Sequence, residues 1–147
     1  MPASAELTPR SFPAHDYAVG REKIREYARA VGETDPLYFE VGAARAAGHT
    51  DVVAPPMFAA VYSGASFEAA MRDPELDIDL AMLLHSGQEF EWGELVIAGD
   101  QITTEIALAE VSERVGMRFI VFRSSSRNQR GERVCRGTWT VVVRPRR

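Results

Sequence analysis

The stretch Gly-Glu-Thr-Asp-Pro-Leu-Tyr at residues 32–38 places two carboxylates, Glu33 and Asp35, close to the phenol of Tyr38. Carboxylates can transfer protons, whereas a phenol with a pKa of about 10 can donate a proton but is a poor base. This set of groups indicates general acid–base chemistry carried on a loop. The Asp35-Pro36 pair is also typical of a simple helix boundary. The residues by themselves leave both interpretations open.

The other reactive side chains do not form a recognised constellation. His15, His49 and His85 are scattered along the chain, without the short spacing of a metal site, so no metal is expected. We expect His49 and His85 to be hydrogen-bonded structural residues. Cys135 is the single cysteine, so no intrachain disulfide can form, and its place in a predicted strand indicates an inert core thiol.

Length and charge restrict the class of protein. The chain has 147 residues, which fits one domain over residues 1–147, with a loose end expected at residues 1–10. A formal net charge of −4 offers no basic face to a nucleic acid. No stretch is apolar enough to cross a bilayer or to form a signal-peptide core. These features predict a cytoplasmic protein that binds neither nucleic acid nor membrane.

The acidic loop is expected to follow directly after a helix. Apolar residues recur at helical spacing in residues 21–31, at Ile24, Tyr27, Ala28 and Val31. Gly32 then supplies a left-handed cap residue. Pro36 can begin a further turn, because a first-turn position needs no backbone N–H, and one or two short helical turns can continue to Gly48.

A second, longer helix is predicted over residues 57–71. This segment is apolar almost all round and includes small residues that allow close packing, so we expect a buried central helix that ends before Asp73-Pro74. Most of the aromatic residues in and after it are expected in the core, with one or two lining a ligand cavity. These aromatic residues are Phe58, Tyr62, Phe67, Phe90 and Trp92.

The second half of the chain alternates apolar and polar residues, as half-buried strands do. Four strands are predicted, in residues 86–94, 102–111, 117–125 and 134–144, with a hairpin loop at 127–132. Antiparallel strands that follow one buried helix imply an α+β fold, in which the sheet closes over that helix. One helix cannot cover the sheet's edges, so dimerisation through a sheet edge is expected.

This order of elements resembles the hotdog fold of the MaoC-like dehydratase family, over almost the whole chain from about Phe12 to Val143. Catalytic members carry a loop of the form GDxNPxH directly after a helix, and residues 32–38 match it in register. The segment "FEWGELVIAGDQI" resembles the family's strand and turn that end in Gly-Asp, here Gly99 and Asp100. The resemblance implies an antiparallel sheet wrapped around one long central helix.

More narrowly, the segments "YAVGREKIREYARAVGETDPLYF", "VVAPPMFAAV" and "GQEFEW" look like a branch whose members are non-catalytic partners in heterodimers. In actinobacterial fatty-acid and mycolic-acid elongation, such subunits pair with a catalytic hotdog subunit. Together they dehydrate (3R)-hydroxyacyl thioesters on acyl carrier protein. The resemblance therefore implies acyl carrier protein or coenzyme A thioesters as ligands and a catalytic MaoC-like subunit or a second copy as partner. Nothing in the sequence indicates a cofactor, so none is expected.

The same resemblance shows where this chain departs from catalytic members. Glu33 stands at the family's Asp position, Asp35 at its Asn position and Tyr38 at its His position. Pro56 stands where catalytic members have a glycine whose backbone N–H faces the thioester oxygen, and proline has no N–H. The loop is therefore interpreted as degenerate, with no confident catalytic residue. Substrate-binding positions are expected at Pro56, Met57, Tyr62 and Gln88.

Two other functions remain open from the sequence. One is a stand-alone hydratase or dehydratase in which Glu33 works with His49 or His85. The other is a homodimeric acyl-thioester binding or regulatory module that has no catalytic partner.

Overall fold

A computed structural model of the chain describes residues 10–145. Within this range there are three α-helices: α1 (Arg21–Ala30), α2 (Val41–Ala46) and α3 (Ala59–Met71). Short 3-10 turns at Pro36–Tyr38 and Pro56–Phe58 precede α2 and α3. The six described strands are β1 (Arg10–Ser11), β2 (His15–Ala18), β3 (Leu83–Trp92), β4 (Gln101–Arg114), β5 (Met117–Arg127) and β6 (Arg133–Val143).

The strands form one antiparallel sheet in the order β1-β4-β5-β6-β3, with β2 also paired to β4. The four predicted strands are confirmed as β3 to β6, because their apolar residues alternate as expected for a sheet with one covered face. β1 and β2 were not predicted, because strands of two and four residues are too short to show alternation. Arg10 was predicted to belong to a loose end, but it lies in β1 and pairs with Leu108 of β4. The other residues of that predicted loose end, 1–9, lie outside the described residues.

The long helix α3 packs against the sheet and confirms the predicted α+β architecture. The ring of Phe67 stacks on Trp139 of β6, with 4.4 Å between ring centroids, and Phe122 of β5 meets Phe67 edge-on at 5.8 Å. The opposite side of α3 is open, since Ala60 and Ala65 are exposed. The helix was expected to be a buried central one, but in the described chain the sheet covers only one side of it.

The sheet ends at β3, which has no further strand of the described chain beyond it. Two large apolar residues near the ends of this strand, Leu84 and Trp92, are each 49% exposed. A free edge with apolar ends is a surface on which a second chain can pair. Dimerisation through a sheet edge stays a prediction.

No helix between residues 10 and 145 has the length and hydrophobicity needed to span a membrane.

Candidate functional site

The acidic loop begins where α1 ends, as predicted. Gly32 has a φ of 77°, a left-handed conformation that favours glycine, and the N–H of Glu33 donates to the carbonyl of Ala28 over 2.9 Å. Val31 was expected on the core face, but it is the C-cap residue of α1 and is 53% exposed. Ile24 and Ala28 are buried on the core face of α1, but the helix ends at Ala30, so Val31 does not continue that face.

The Asp35 carboxylate is hydrogen-bonded to the backbone of its own loop. It accepts a hydrogen bond from the N–H of Leu37 over 2.9 Å and thereby caps the 3-10 turn that Pro36 begins. The guanidinium of Arg25 in α1 donates to the carbonyl of Phe39 over 2.8 Å and holds the far end of this turn. Asp35 therefore performs helix-boundary chemistry, one of the two interpretations that the sequence left open.

Glu33 lies among phenols. Burial and the negative charges of Glu33 and Asp35 raise the pKa of Tyr38 above its usual value, and burial together with Glu33 raises the pKa of Tyr27. Both phenols therefore stay protonated at neutral pH and do not act as bases. Within the described residues, no hydrogen bond or ion pair joins Glu33 to a histidine, and the rings of His15 and His85 lie against the carbonyls of Pro13 and Gly87.

The histidines have other surroundings. His85 has its Nε2 3.1 Å from the carbonyl oxygen of Gly87, and its ring stacks over Trp139 with 6.0 Å between centroids. The backbone N–H of His49 donates to Ala44 at the end of α2 over 2.9 Å. His85 is thus a hydrogen-bonded structural residue, as predicted, although it is exposed rather than buried.

A pocket of about 330 Å³ lies beside the start of α3. It is bounded by the chain before α3, by the end of β3 and by the segment that follows β3, and most of its lining is apolar. The lining residues are Ala54, Pro55, Pro56, Tyr62, Trp92, Gly93, Glu94, Leu95, Val96 and Val134. A small apolar pocket with few polar groups is typical of a ligand site.

The structure brings two of the four predicted substrate-binding residues into this pocket, Pro56 and Tyr62. Met57 lies outside its lining and is 46% exposed. Gln88 faces Trp139 on the inner side of β3, and its Nε2 is buried without a hydrogen-bond partner among the described residues. Gln88 is also outside the pocket lining.

Pro56 opens the 3-10 turn that leads into α3 and has no backbone N–H to offer a ligand. The N–H of Phe58, two residues further on, is already used by the carbonyl of Pro55 over 2.9 Å. The carbonyl of Pro56 accepts a hydrogen bond from the indole of Trp92 over 2.9 Å. At the position where the family resemblance implies a backbone donor, this chain has only a carbonyl acceptor, and that acceptor is already bonded to Trp92.

Trp92, one of the five aromatic residues expected mostly in the core with one or two lining a cavity, is 49% exposed and lines the pocket. It forms a pocket wall together with Leu95 and Val96. Neither Leu95 nor Val96 was predicted from the sequence as a site residue. Their location depends on hydrogen bonds between segments far apart in sequence: the N–H of Ala54 donates to the carbonyl of Val96 over 2.8 Å. No pattern within either segment predicts that pairing.

The acidic loop and the pocket are separate but connected. The N–H of Val53 donates to the carbonyl of Leu37 in the loop over 2.9 Å, and Ala54, the next residue, lines the pocket. Tyr27 also meets Phe58 edge-on, with 5.5 Å between ring centroids. None of Glu33, Asp35 and Tyr38 lines the pocket, so the acidic loop lies outside the pocket lining.

The Gly-Asp turn that the sequence analysis singled out is structural. Gly99 has a φ of 97°, and Asp100 is 6% exposed. The Asp100 carboxylate accepts hydrogen bonds from the N–H of Ile97 and from Nε2 of Gln129, each over 2.9 Å. Asp100 thus fixes the segment that follows the pocket wall to the hairpin loop between β5 and β6.

Comparison with known proteins agrees with this architecture. The family described as "FAS1-like, dehydratase domain region" matches residues 7–137. A UPF0336 protein of Saccharopolyspora erythraea is 37% identical over 98% of this chain and 93% of its own length. A UPF0336 protein of Clavibacter michiganensis subsp. michiganensis is 39% identical over 98% of this chain and 97% of its own length.

A solved structure is also similar. It is the C-terminally truncated HadBC (3R-hydroxyacyl-ACP dehydratase) complex from Mycobacterium tuberculosis, which matches with a TM-score of 0.76 at 29% identity. The match covers 92% of this chain and 94% of the matched chain. The chain therefore belongs to the FAS1-like dehydratase domain family and has the MaoC-like hotdog fold.

Proposed function

We propose that this chain is an acyl-thioester-binding, non-catalytic subunit of a heteromeric (3R)-hydroxyacyl thioester dehydratase that acts in cytoplasmic fatty-acid elongation. The observation that carries the proposal is Tyr38. It stands at the histidine position of the family's catalytic loop, and burial beside Glu33 raises its pKa further.

Dehydration of a 3-hydroxyacyl thioester needs a base for the C2 proton, an acid for the departing hydroxyl and donors for the oxyanion on the carbonyl. A phenol whose pKa is raised above 10 does not act as a base at neutral pH. Pro56 supplies no oxyanion donor, and loss of one such donor costs about a hundredfold to a thousandfold in rate. These two independent departures support a role other than catalysis.

The acyl ligand is supported by the apolar pocket beside Pro56. Its lining residues Leu95, Val96 and Val134 present a surface suited to an alkyl chain. A partner subunit is supported by the free edge of β3 with its exposed apolar ends, Leu84 and Trp92. It is also supported by the similar solved structure, whose description is that of a dehydratase complex.

The stand-alone alternative is not favoured by any contact in the described chain. It requires a histidine beside Glu33. The groups whose pKa the charge of Glu33 raises are instead the phenols of Tyr27 and Tyr38. His85 is engaged with Gly87 and Trp139.

The test is enoyl-thioester formation from a (3R)-hydroxyacyl thioester, followed by ultraviolet absorbance. The chain is assayed alone and then mixed with a hotdog subunit that carries an intact GDxNPxH loop. Activity in the mixture well above that of the catalytic subunit alone is the expected result. Vigorous dehydration by the chain alone would sink the proposal. Acyl-thioester binding without any effect on the catalytic subunit would favour the binding-module alternative.

A further inference from the structure

We propose that the hydroxyl of Tyr62 binds the carbonyl oxygen of an acyl group in the pocket beside Pro56, and so supplies the hydrogen-bond donor that Pro56 lacks. The inference rests on the proposed function, since it requires that an acyl chain occupies this pocket. It assigns the ligand a chemical class, an alkyl chain that carries a carbonyl.

Tyr62 is placed to meet a ligand inside the pocket. It lies in the first turns of α3, lines the pocket and is only 3% exposed. Its ring is held by Phe58, with 6.3 Å between ring centroids. The neighbouring wall residue Val134 precedes Cys135, against whose thiol the Tyr62 hydroxyl lies.

The present partner of the hydroxyl is a weak one. Within residues 10–145 the Tyr62 hydroxyl makes no hydrogen bond to an oxygen or nitrogen atom, and the thiol of Cys135 is the polar group beside it. A thiol sulfur is a weak hydrogen-bond acceptor. Cys135 does not depend on Tyr62 for its own hydrogen bond, because its S–H donates to the carbonyl of Arg136 over 3.3 Å. The hydroxyl can therefore change partners at little cost.

A carbonyl oxygen in this pocket would be the better acceptor. Hydrogen bonds are stronger in an apolar surrounding than in water, because water does not compete there. Burial raises the pKa of Tyr62, so the hydroxyl keeps its proton and stays a donor at neutral pH. Trp92 is the other lining residue with a side-chain hydrogen-bond donor, and its indole N–H already donates to the carbonyl of Pro56. Tyr62 is thus the side-chain donor that remains for a ligand.

The test compares two ligands that differ at one atom group. Decanoyl coenzyme A carries the thioester carbonyl, and decyl coenzyme A, its thioether analogue, has a methylene in its place. Dissociation constants are measured by calorimetry for the native chain, for Tyr62→Phe and for Cys135→Ala, each checked for an unchanged circular dichroism spectrum. Tyr62→Phe removes the hydroxyl and keeps the ring, so the apolar wall is preserved.

We expect the native chain to bind the thioester about fivefold to tenfold more tightly than the thioether, the value of one buried hydrogen bond. Tyr62→Phe should abolish this preference and leave thioether binding within about twofold, whereas Cys135→Ala should retain the preference. Equal binding of the two ligands by the native chain, or a preference that survives in Tyr62→Phe, would overturn the role of Tyr62 and leave the acyl site intact. If neither ligand binds, the acyl site itself fails, and the role of Tyr62 fails with it.

Discussion

The indole N–H of Trp92 donates a hydrogen bond to the carbonyl oxygen of Pro56 over 2.9 Å. This bond joins the end of β3 to the turn that leads into α3, and both residues line the same pocket. Trp92 is 49% exposed, so little surrounding structure fixes its ring. The ring is held by this hydrogen bond and by its contact with Phe90, at 6.2 Å between ring centroids. The shape of the pocket depends on this pair.

Replacement of Trp92 should therefore affect ligand binding. Trp92→Ala removes a wall of the pocket, and we expect the affinity for decanoyl coenzyme A to fall about tenfold, the effect of losing roughly 50 Å² or more of apolar contact. Trp92→Phe keeps a ring but loses the bond to Pro56, so a smaller loss is expected. Leu84→Ala is the matched control, because Leu84 is equally exposed on the same strand and lies outside the pocket. An identical effect of Trp92→Ala and Leu84→Ala would contradict this role.

The proposed non-catalytic role of residues 32–38 can be tested in a mixture of this chain with a catalytic subunit. We expect Tyr38→Phe and Glu33→Gln to leave the dehydration rate of the mixture with a catalytic subunit within about twofold, because loss of a true acid or base costs about a hundredfold or more. Replacement of the histidine in the partner's own GDxNPxH loop serves as the positive control. A hundredfold loss caused by either change in this chain would make the loop catalytic.

The ion pair between Arg21 and Asp51 should make stability depend on pH. The Arg21 guanidinium donates hydrogen bonds of 2.9 and 2.7 Å to the carboxylate and, as the largest cause, lowers the pKa of Asp51 from 3.8 to about 2. Because the pKa is lower in the folded state, this stabilisation is present above pH 3.8 and is lost as the pH falls through about 2.

The measurement for this pair is urea unfolding of the native chain and of Asp51→Asn between pH 2 and 5. The two proteins should converge in stability at the acidic end, and the native chain should be the more stable one at pH 5. The difference is expected to be small, because 46% of the Arg21 side chain is exposed. A gap that widens as the pH falls would contradict the assignment.

Gly137 in β6 leaves room for the contact between Trp139 and Ser124. The indole of Trp139 donates to the Ser124 hydroxyl over 2.9 Å, and an added Cβ at Gly137 would lie 2.5 Å from that oxygen and 2.7 Å from the indole nitrogen. We expect Gly137→Ala to lower the free energy of unfolding by about 1–3 kcal/mol, as overpacking does. Gly42→Ala in α2 is the control, since no atom lies within 4 Å of its added Cβ. Equal stability of the two variants in urea unfolding would refute this view.

Val115 occupies a strained and exposed position at the tip of the β4–β5 hairpin. Its φ is 52°, a left-handed value that is unfavourable for a β-branched residue, and it is 96% exposed. We expect Val115→Asn to raise the free energy of unfolding by about 1 kcal/mol, because asparagine tolerates this conformation. Val115→Ile retains the branching and should bring no gain. Thermal unfolding of both variants decides the matter, and a less stable Val115→Asn would show that the valine makes a favourable contact.

The sequence by itself determined the main elements of the fold. Alternation in Ile102, Thr104, Ile106 and Leu108 identified the covered face of β4, and all four residues are buried. Helical spacing and Gly32 located α1 and its end. These features are local, because side-chain period and the left-handed preference of glycine act within a few residues of the chain. The differences from the family's catalytic pattern at Glu33, Tyr38 and Pro56 are likewise visible in the sequence alone.

Only the tertiary structure decided which residues share the pocket. Pro56 and Tyr62 were expected to bind substrate and do meet there, whereas Met57 points elsewhere. The wall formed by Trp92 and Val96 arises because β3 ends beside the turn before α3 and the segment after it pairs with residues 52–54. Such pairings join positions more than thirty residues apart, as Trp92 and Pro56 show, and no local period encodes them. The same holds for the exposure of Trp92, which depends on β3 being the last strand of the sheet.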